Sequence, residues 1–67
     1  MKKYNEILKE LREDNDKSQA EVAEYLGIMQ QQYSKYETGI RELPIKHLIK
    51  LCSYYKVSAD YILNIRF

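Results

Sequence analysis

Two helix-length segments separated by a glycine constrain this chain more than any other feature. The first, residues 18–26, begins at Ser18 with Glu21 three positions later, which is the spacing of a capping box. Gly27 follows this segment, and glycine ends helices because it adopts a left-handed conformation at little cost. The second segment, residues 29–37, is followed by another glycine two positions later. The pattern therefore predicts two short helices joined by a tight turn.

The spacing of apolar residues predicts three further helices. Residues 3–14 carry one apolar stripe with three- and four-residue steps. Pro44 suits the first turn of a fourth helix, where its missing amide hydrogen is harmless, and Ser58 suits the N-cap of a fifth. No segment of useful length alternates with period two. We therefore predict an all-α fold with five helices in a single domain, residues 1–67, the helices covering about residues 3–14, 18–26, 29–37, 44–55 and 58–64.

The same spacing indicates which side chains face the core. On the second helix we expect Val22, Ala23 and Leu26 to be buried, and on the third helix Tyr33 and Tyr36. Apolar residues elsewhere complete the expected core: Tyr4, Ile7, Leu8, Leu11, Ile28, Ile40, Ile45, Leu48, Ile49, Leu51, Cys52, Tyr55 and Tyr61. A chain of 67 residues buries only about 60% of its unfolded surface, so it gains from tight helix packing or a second subunit.

The composition narrows the possible classes of function. Cys52 is the only cysteine, so no intrachain disulfide can form and a reducing compartment is expected. No apolar run approaches 18 residues and no signal-peptide pattern occurs, which predicts a cytoplasmic protein without membrane contact. His47 and Cys52 are five positions apart and do not share a helix face, so we expect no metal site and no cofactor. Paired catalytic carboxylates and a phosphate-cradling loop are also missing, so we do not expect an enzyme.

The polar residues of the third helix indicate a surface that reads nucleic acid. Gln30 and Gln31 lie in its first turn, and a glutamine amide can donate and accept at once, which matches the N6 and N7 atoms of adenine. Lys35 is four residues after Gln31, on a neighbouring part of the same face, and suits guanine acceptors or a phosphate. In a helix-turn-helix, residues of this kind enter the major groove of duplex DNA. We therefore predict base contacts by Gln30, Gln31 and Lys35.

Other polar residues are placed for contacts with the sugar-phosphate backbone. Gln19 lies at the N-terminus of the second helix, where free amides and the helix dipole favour an anion. Arg41 follows the third helix, and Gln32 and Ser34 lie on its flanks. The net charge is only +1, although residues 28–50 hold four basic and two acidic side chains. This local balance is compatible with a phosphate-facing surface.

At these positions the sequence resembles the lambda repressor/Cro-like, or XRE, helix-turn-helix domains. The resemblance extends from about Ile7 to Leu63 and is carried by Ser18-Gln19, Val22-Ala23, Leu26-Gly27-Ile28, Gln30-Gln31, Ser34-Lys35-Tyr36-Glu37, Gly39, Arg41, Pro44 and residues 57–63. It implies a compact five-helix domain that binds operator DNA, usually as a two-fold dimer. Two residues depart from the common pattern. Tyr33 replaces a smaller aliphatic residue, and Met29 replaces a small hydroxyl residue that could cap the third helix.

Two hypotheses of different classes follow. The first is a sequence-specific DNA-binding transcriptional regulator from a bacterium or phage, a repressor that binds a two-fold operator as a homodimer. The second is an antitoxin or another protein-binding module with the same fold, whose partner would be a toxin or a similar protein. A restriction-modification controller is a third possibility within the DNA-binding class. The exposed face of the third helix discriminates between the first two, because a DNA reader keeps that face polar.

The surface that would form a homodimer is predicted at the C-terminal end. Ile65 and Phe67 are apolar residues beyond the fifth helix, and they could pack against a second subunit. Tyr25 and Tyr54 have no clear place in the core and are alternative dimer contacts.

Overall fold

The computed structural model describes residues 2–65, which form five helices. These are α1 (Tyr4–Asp14), α2 (Gln19–Leu26), α3 (Gln30–Thr38), α4 (Ile45–Tyr55) and α5 (Ala59–Leu63). The all-α fold and the five predicted helices are therefore confirmed, each within one residue at either end. Within residues 2–65, none of the helices has the length and hydropathy that a membrane span requires.

The predicted helix ends are observed with their expected hydrogen bonds. The Glu21 amide donates to Ser18 Oγ over 3.1 Å, and the Ser18 amide donates to Glu21 Oε1 over 3.0 Å, which completes the capping box. Gly27 ends α2 with a φ of 74°. Pro44 was predicted inside the first turn of α4, but its ψ of 148° makes it the N-cap. Its ring still suits this place, because the residue before a helix needs no amide hydrogen.

Met29 is the N-cap of α3 and makes no side-chain hydrogen bond to the helix. Its φ of −76° and ψ of 150° are those of an ordinary N-cap, so only the side chain is unsuited to capping. We expect Met29→Ser to raise the free energy of unfolding by about 1 kcal/mol, which is about 4–8 °C in Tm for a domain of this size.

Thermal unfolding followed by circular dichroism measures this effect. Met29→Ala is the matched control, because it removes the exposed thioether without supplying a capping oxygen. Equal Tm values for the serine and alanine variants would contradict the prediction.

The core lies between α1, α2 and α3 and is closed by α4 and α5. It consists of Ile7, Leu8, Leu11, Val22, Ala23, Leu26, Tyr33, Tyr36, Leu51 and Ile62. All but Ile62 were predicted to face inward. Tyr4, Leu48, Cys52 and Tyr55 are partly buried against this core, as their helix positions suggested, and so is Ile28 in the turn between α2 and α3.

Four residues predicted to be buried are exposed instead: Ile40, Ile45, Ile49 and Tyr61. On α4, His47 and Leu51 face the core. Ile45 and Ile49 each lie two positions before one of them, and two positions turn a side chain by about 200° around a helix. Next to Tyr61, Ile62 takes the buried position on α5.

Ile40 is exposed for a different reason. It follows Tyr36 by four residues, so a continuing helix would have turned it inward. Gly39 ends α3 with a φ of 82°, and this left-handed residue directs the chain away from the helix axis. Ile40 therefore projects into solvent beside the end of α3.

Tyr25 and Tyr54 contact each other and link α2 to α4. Their ring centroids are 4.2 Å apart, and the Tyr25 hydroxyl donates to the Lys50 carbonyl over 3.2 Å. Their predicted role at a dimer contact stays a prediction.

Candidate nucleic-acid interface

The seven predicted site residues lie around two adjoining shallow clefts on the outer side of α3. The first cleft is lined by Gln19, Gln30, Gln31, Ser34, Lys35, Thr38 and Ile40. The second is lined by Met29, Gln31, Gln32, Lys35 and Arg41. Gln31 and Lys35 belong to both and form the ridge between them. We call the two clefts together the α3 surface.

The helix register explains this grouping. Tyr33, Tyr36 and Glu37 form the buried side of α3, so residues between them in the helical wheel point outward. Gln30, Gln31 and Lys35 are exposed, and Ser34 is half-buried and lines the first cleft together with Gln19 of α2. The predicted base-contacting residues are thus brought together on one side of a single helix.

Two of the residues predicted to contact the DNA backbone form side-chain hydrogen bonds within the protein. Gln19 Nε2 donates to Glu37 Oε1 over 3.1 Å, which leaves its second amide hydrogen for another acceptor. Gln32 Nε2 donates to the Tyr36 hydroxyl over 3.2 Å. Both amides are therefore oriented by bonds to α3 rather than freely rotating.

Arg41 is positioned by its own backbone. Its amide donates to the Lys35 carbonyl over 3.2 Å, which folds the loop back onto the last turn of α3. Asn5 Nδ2 donates to the Glu37 carbonyl over 3.1 Å, so α1 holds the same end of the helix. The loop beside the α3 surface is consequently tied at two points.

A buried carboxylate beneath α3 is the feature that sequence reasoning missed. Glu37 accepts hydrogen bonds from Arg12 Nε (2.7 Å), Arg12 Nη2 (3.1 Å), the Tyr33 hydroxyl (2.6 Å) and Gln19 Nε2 (3.1 Å). Its side chain is only 2% exposed, and that of Arg12 is 13% exposed. We call Arg12, Gln19, Tyr33 and Glu37 the Glu37 network. It joins α1, α2 and α3 through one group.

The electrostatics of this network are consistent with a charged pair. Burial alone would raise the pKa of Glu37, but hydrogen bonds from Arg12, Tyr33 and Gln19 outweigh it and hold this pKa below its ordinary value. The hydrogen bond to Glu37 raises the pKa of Arg12 despite its partial burial. Burial, and then the bond to Glu37, raise the pKa of the Tyr33 hydroxyl. Tyr33, which replaces a smaller residue, therefore supplies a donor as well as volume.

The sequence offers only a faint signal for this network. Tyr33 and Glu37 are four residues apart, which brings them together on a helix. Arg12 is 25 positions from Glu37, and nothing in its local pattern distinguishes it from other charged residues of α1. Pairing between distant residues requires the tertiary fold.

His47 is a second buried polar residue, which sequence reasoning considered only as a metal ligand. It is 5% exposed, its ring lies 5.9 Å from that of Tyr36, and within residues 2–65 its Nδ1 atom has no hydrogen-bond partner. Burial lowers the pKa of His47, and the nearby charges of Lys46 and Lys50 lower it further. This histidine is therefore packed as a neutral ring behind α3.

A lowered pKa makes stability depend on pH in a defined direction. Below the ordinary histidine pKa of 6.5 the unfolded chain takes up a proton that folded His47 resists, so acidification destabilises the fold. We expect the free energy of unfolding to fall between pH 7 and pH 5. His47→Leu should reduce this loss, since leucine has no proton to bind.

Urea unfolding at pH 7, 6 and 5 measures this dependence for both proteins. Glu37 does not interfere, because its stabilising effect is lost only below the ordinary glutamate pKa of 4.5. Parallel curves for the parent and the leucine variant would exclude His47 as the cause.

Comparison with known proteins identifies the arrangement. A family model described as helix-turn-helix matches residues 8–62, which contain α2 and α3 and most of the remaining helices. This chain belongs to the helix-turn-helix family. The resemblance to XRE-type domains is thereby confirmed.

Curated relatives of this helix-turn-helix chain come from Bacillus subtilis strain 168. The SPbeta prophage-derived uncharacterized HTH-type transcriptional regulator YonR is 42% identical over 61 residues, which cover 91% of this chain and 56% of the relative. The HTH-type transcriptional regulator ImmR is 41% identical over 57 residues, covering 85% of this chain and 45% of the relative. The chain thus spans about half the length of these relatives.

A solved structure shows the same fold. The crystal structure of a transcriptional regulator from Listeria innocua superposes with a TM-score of 0.91 and 23% sequence identity. The superposition covers 97% of this chain and 61% of that chain. The helix-turn-helix of α2 and α3 therefore has its expected five-helix setting.

Proposed function

We propose that this chain is the DNA-reading domain of a sequence-specific transcriptional regulator, which represses by binding a two-fold operator as a homodimer. The observation that carries this proposal is the α3 surface. Polar, exposed side chains occupy the outer side of a helix whose inner side is held by Tyr33, Tyr36 and Glu37. Relatives named as HTH-type transcriptional regulators support the regulatory role.

Gln30, Gln31 and Lys35 would contact base edges. The major groove of B-DNA is about 12 Å wide and admits an α-helix, whose first residues then approach the bases. Gln30 and Gln31 form the first two positions of α3, and Lys35 lies one turn further along the ridge. Each glutamine would pair with an adenine, and Lys35 would donate to guanine or to a phosphate.

Gln19, Gln32, Ser34 and Arg41 would contact the backbone on either side of the groove. Gln19 begins α2, where the amides of residues 19 and 20 precede the capped Glu21 amide and would face a phosphate. The Gln19 side chain keeps one donor hydrogen after its bond to Glu37. Arg41 is held beside Lys35 by the loop bond to the end of α3. Contacts of this kind fix the register of α3 without reading sequence.

Dimerisation would use α5 and the residues that follow it. Tyr61, Leu63 and Ile65 are apolar and exposed in the described part of the chain, which supports a second subunit on this side. Phe67, the other predicted contact, lies outside the described residues. In a two-fold complex the half-sites would be about 34–36 Å apart, which is one turn of DNA.

A protein-binding role, such as that of an antitoxin, is the second candidate. Exposed Ile45 and Ile49 on α4 favour it, because they are four residues apart and share one helix face. The outer side of α3 favours DNA instead, because the described residues that line its clefts are polar, with the exceptions of Met29 and Ile40.

Selection from a randomised pool of duplex DNA at two salt concentrations tests the proposed function. We expect a two-fold symmetric site, with an affinity that falls as salt rises by a log–log slope of about −0.9 for each phosphate contacted. Weak binding with no enriched sequence at either salt concentration would contradict the proposal and favour the protein-binding alternative.

A further inference from the structure

One side chain of the first cleft does not match its neighbours. Of the described residues that line this cleft, Ile40 alone is apolar, and it is 73% exposed. An exposed isoleucine gives up the stabilisation that burial would provide, so it adds nothing to this core. It lies instead beside Ser34, Lys35 and Thr38, on the side where Gln30 and Gln31 point.

The backbone around Ile40 holds it there. Gly39 ends α3 in a left-handed conformation. The Asn5 side chain of α1 lies beside Gly39 and donates a hydrogen bond to the Glu37 carbonyl. On the other side of Ile40, the Arg41 amide donates to the Lys35 carbonyl. Ile40 is thus the middle residue of a turn that is hydrogen-bonded to α3. These bonds fix the backbone of the turn, so the Ile40 side chain is held beside α3.

The chemistry of the major groove suggests what such a side chain would contact. Three of the four bases present only hydrogen-bond donors and acceptors there, whereas thymine also presents its C5-methyl group. Glutamine and lysine recognise the polar atoms. An apolar side chain recognises the methyl group instead, because their contact removes apolar surface of both groups from water. Cytosine lacks this group, so an apolar contact discriminates between thymine and cytosine.

We propose that Ile40 contacts the C5-methyl group of a thymine in each half-site, next to the base pairs that Gln30 and Gln31 read. Ile40 would then determine sequence specificity from outside the recognition helix. This inference rests on the proposed DNA-reading function and adds one specified base to it. A contact with deoxyribose or phosphate is the competing role, which would depend on no particular base.

Single replacement of thymine by uracil tests the contact, because uracil differs only by the missing methyl group. Each thymine of the selected duplex is replaced in turn, and the affinity of the full chain is measured for every duplex. We expect one position in each half-site at which uracil weakens binding by about fourfold, the effect of leaving one methylene-sized group unburied. In Ile40→Ala this loss should disappear at that position and persist at any other sensitive thymine.

Ile49→Ala is the matched control, because Ile49 is also exposed, at 64%, but lines neither cleft. It should show the same uracil losses as the parent chain. The inference is overturned if Ile40→Ala keeps every loss, or if no thymine of the site responds to uracil. In both cases selective binding by the parent chain would leave the proposed function intact, whereas absence of selective binding would overturn that function itself.

Discussion

Glu37→Ala is expected to lower the free energy of unfolding by about 3–5 kcal/mol, the largest loss we predict for a single substitution. Glu37 is the shared acceptor of bonds from Arg12, Gln19 and Tyr33. Its removal leaves the Arg12 guanidinium, whose side chain is 13% exposed, without its carboxylate partner. The Tyr33 hydroxyl, which belongs to a fully buried residue, also loses its acceptor.

A loss of this size is comparable with the whole stability of a small domain. Folded proteins retain roughly 0.05–0.15 kcal/mol per residue, so a chain of 67 residues has a total stability of about 3–10 kcal/mol. We therefore expect Glu37→Ala to be largely unfolded at 37 °C. Because the network joins α1, α2 and α3, DNA binding should be lost with the fold.

Urea unfolding of the variant at 10 °C, compared with the parent, measures this loss. Glu37→Gln keeps the shape but not the charge, and it should fall between the parent and Glu37→Ala. Glu42→Ala is the control, because Glu42 is an exposed carboxylate in the loop before α4. A loss below about 1 kcal/mol for Glu37→Ala would be that of an ordinary surface ion pair. It would contradict the assignment of Arg12 and Glu37 as a buried ion pair.

Gln31→Ala is expected to reduce discrimination at one base pair of each half-site by about 1–3 kcal/mol. Gln31 lies on the ridge between the two clefts, and a bidentate pair with adenine would be lost with its amide. Binding to the selected site should weaken, whereas binding to the same site changed at that base pair should be almost unaffected. Competition binding with all four base pairs at each position measures the change.

Arg41→Ala should give the opposite pattern. A phosphate contact carries no sequence information, so all duplexes should bind more weakly by a similar factor, and the salt slope should decrease by about 1. Lys9→Ala removes a single positive charge from the exposed side of α1, away from both clefts, and should have little effect. Equal weakening of every duplex by both Gln31→Ala and Arg41→Ala would contradict the assigned roles.

The ends of the helices were predictable because they depend on neighbours in the chain. The capping box of Ser18 and Glu21 spans four residues, and the left-handed conformations of Gly27 and Gly39 follow from the lack of a side chain. The outward grouping of Gln30, Gln31 and Lys35 is equally local, since it follows from helical spacing once the buried side of α3 is known.

Errors occurred where burial depended on which side of an element meets the rest of the molecule. Apolar residues cover a wide arc of α4, and spacing alone does not select among them. α4 packs against α5, and its His47 ring lies beside Tyr36 of α3. Leu51 and the polar His47 are buried there, whereas Ile45 and Ile49 stay in solvent. The sequence indicated that α4 has a buried face, but it did not indicate which of the apolar residues of α4 form that face.

The five helices, their boundaries and the polar outer side of α3 could be predicted from the sequence, because they depend on contacts within a few residues. The family could also be recognised from the sequence, since its motifs extend along most of the chain. The packed helices were needed to show that Arg12 and Gln19 meet beneath α3 at Glu37, and that Ile40 lies in the same cleft as the glutamines. Such relations join residues distant in the chain or depend on the exact turn of a loop. They arise when the helices pack, because a buried carboxylate must find its donors in whichever elements surround it.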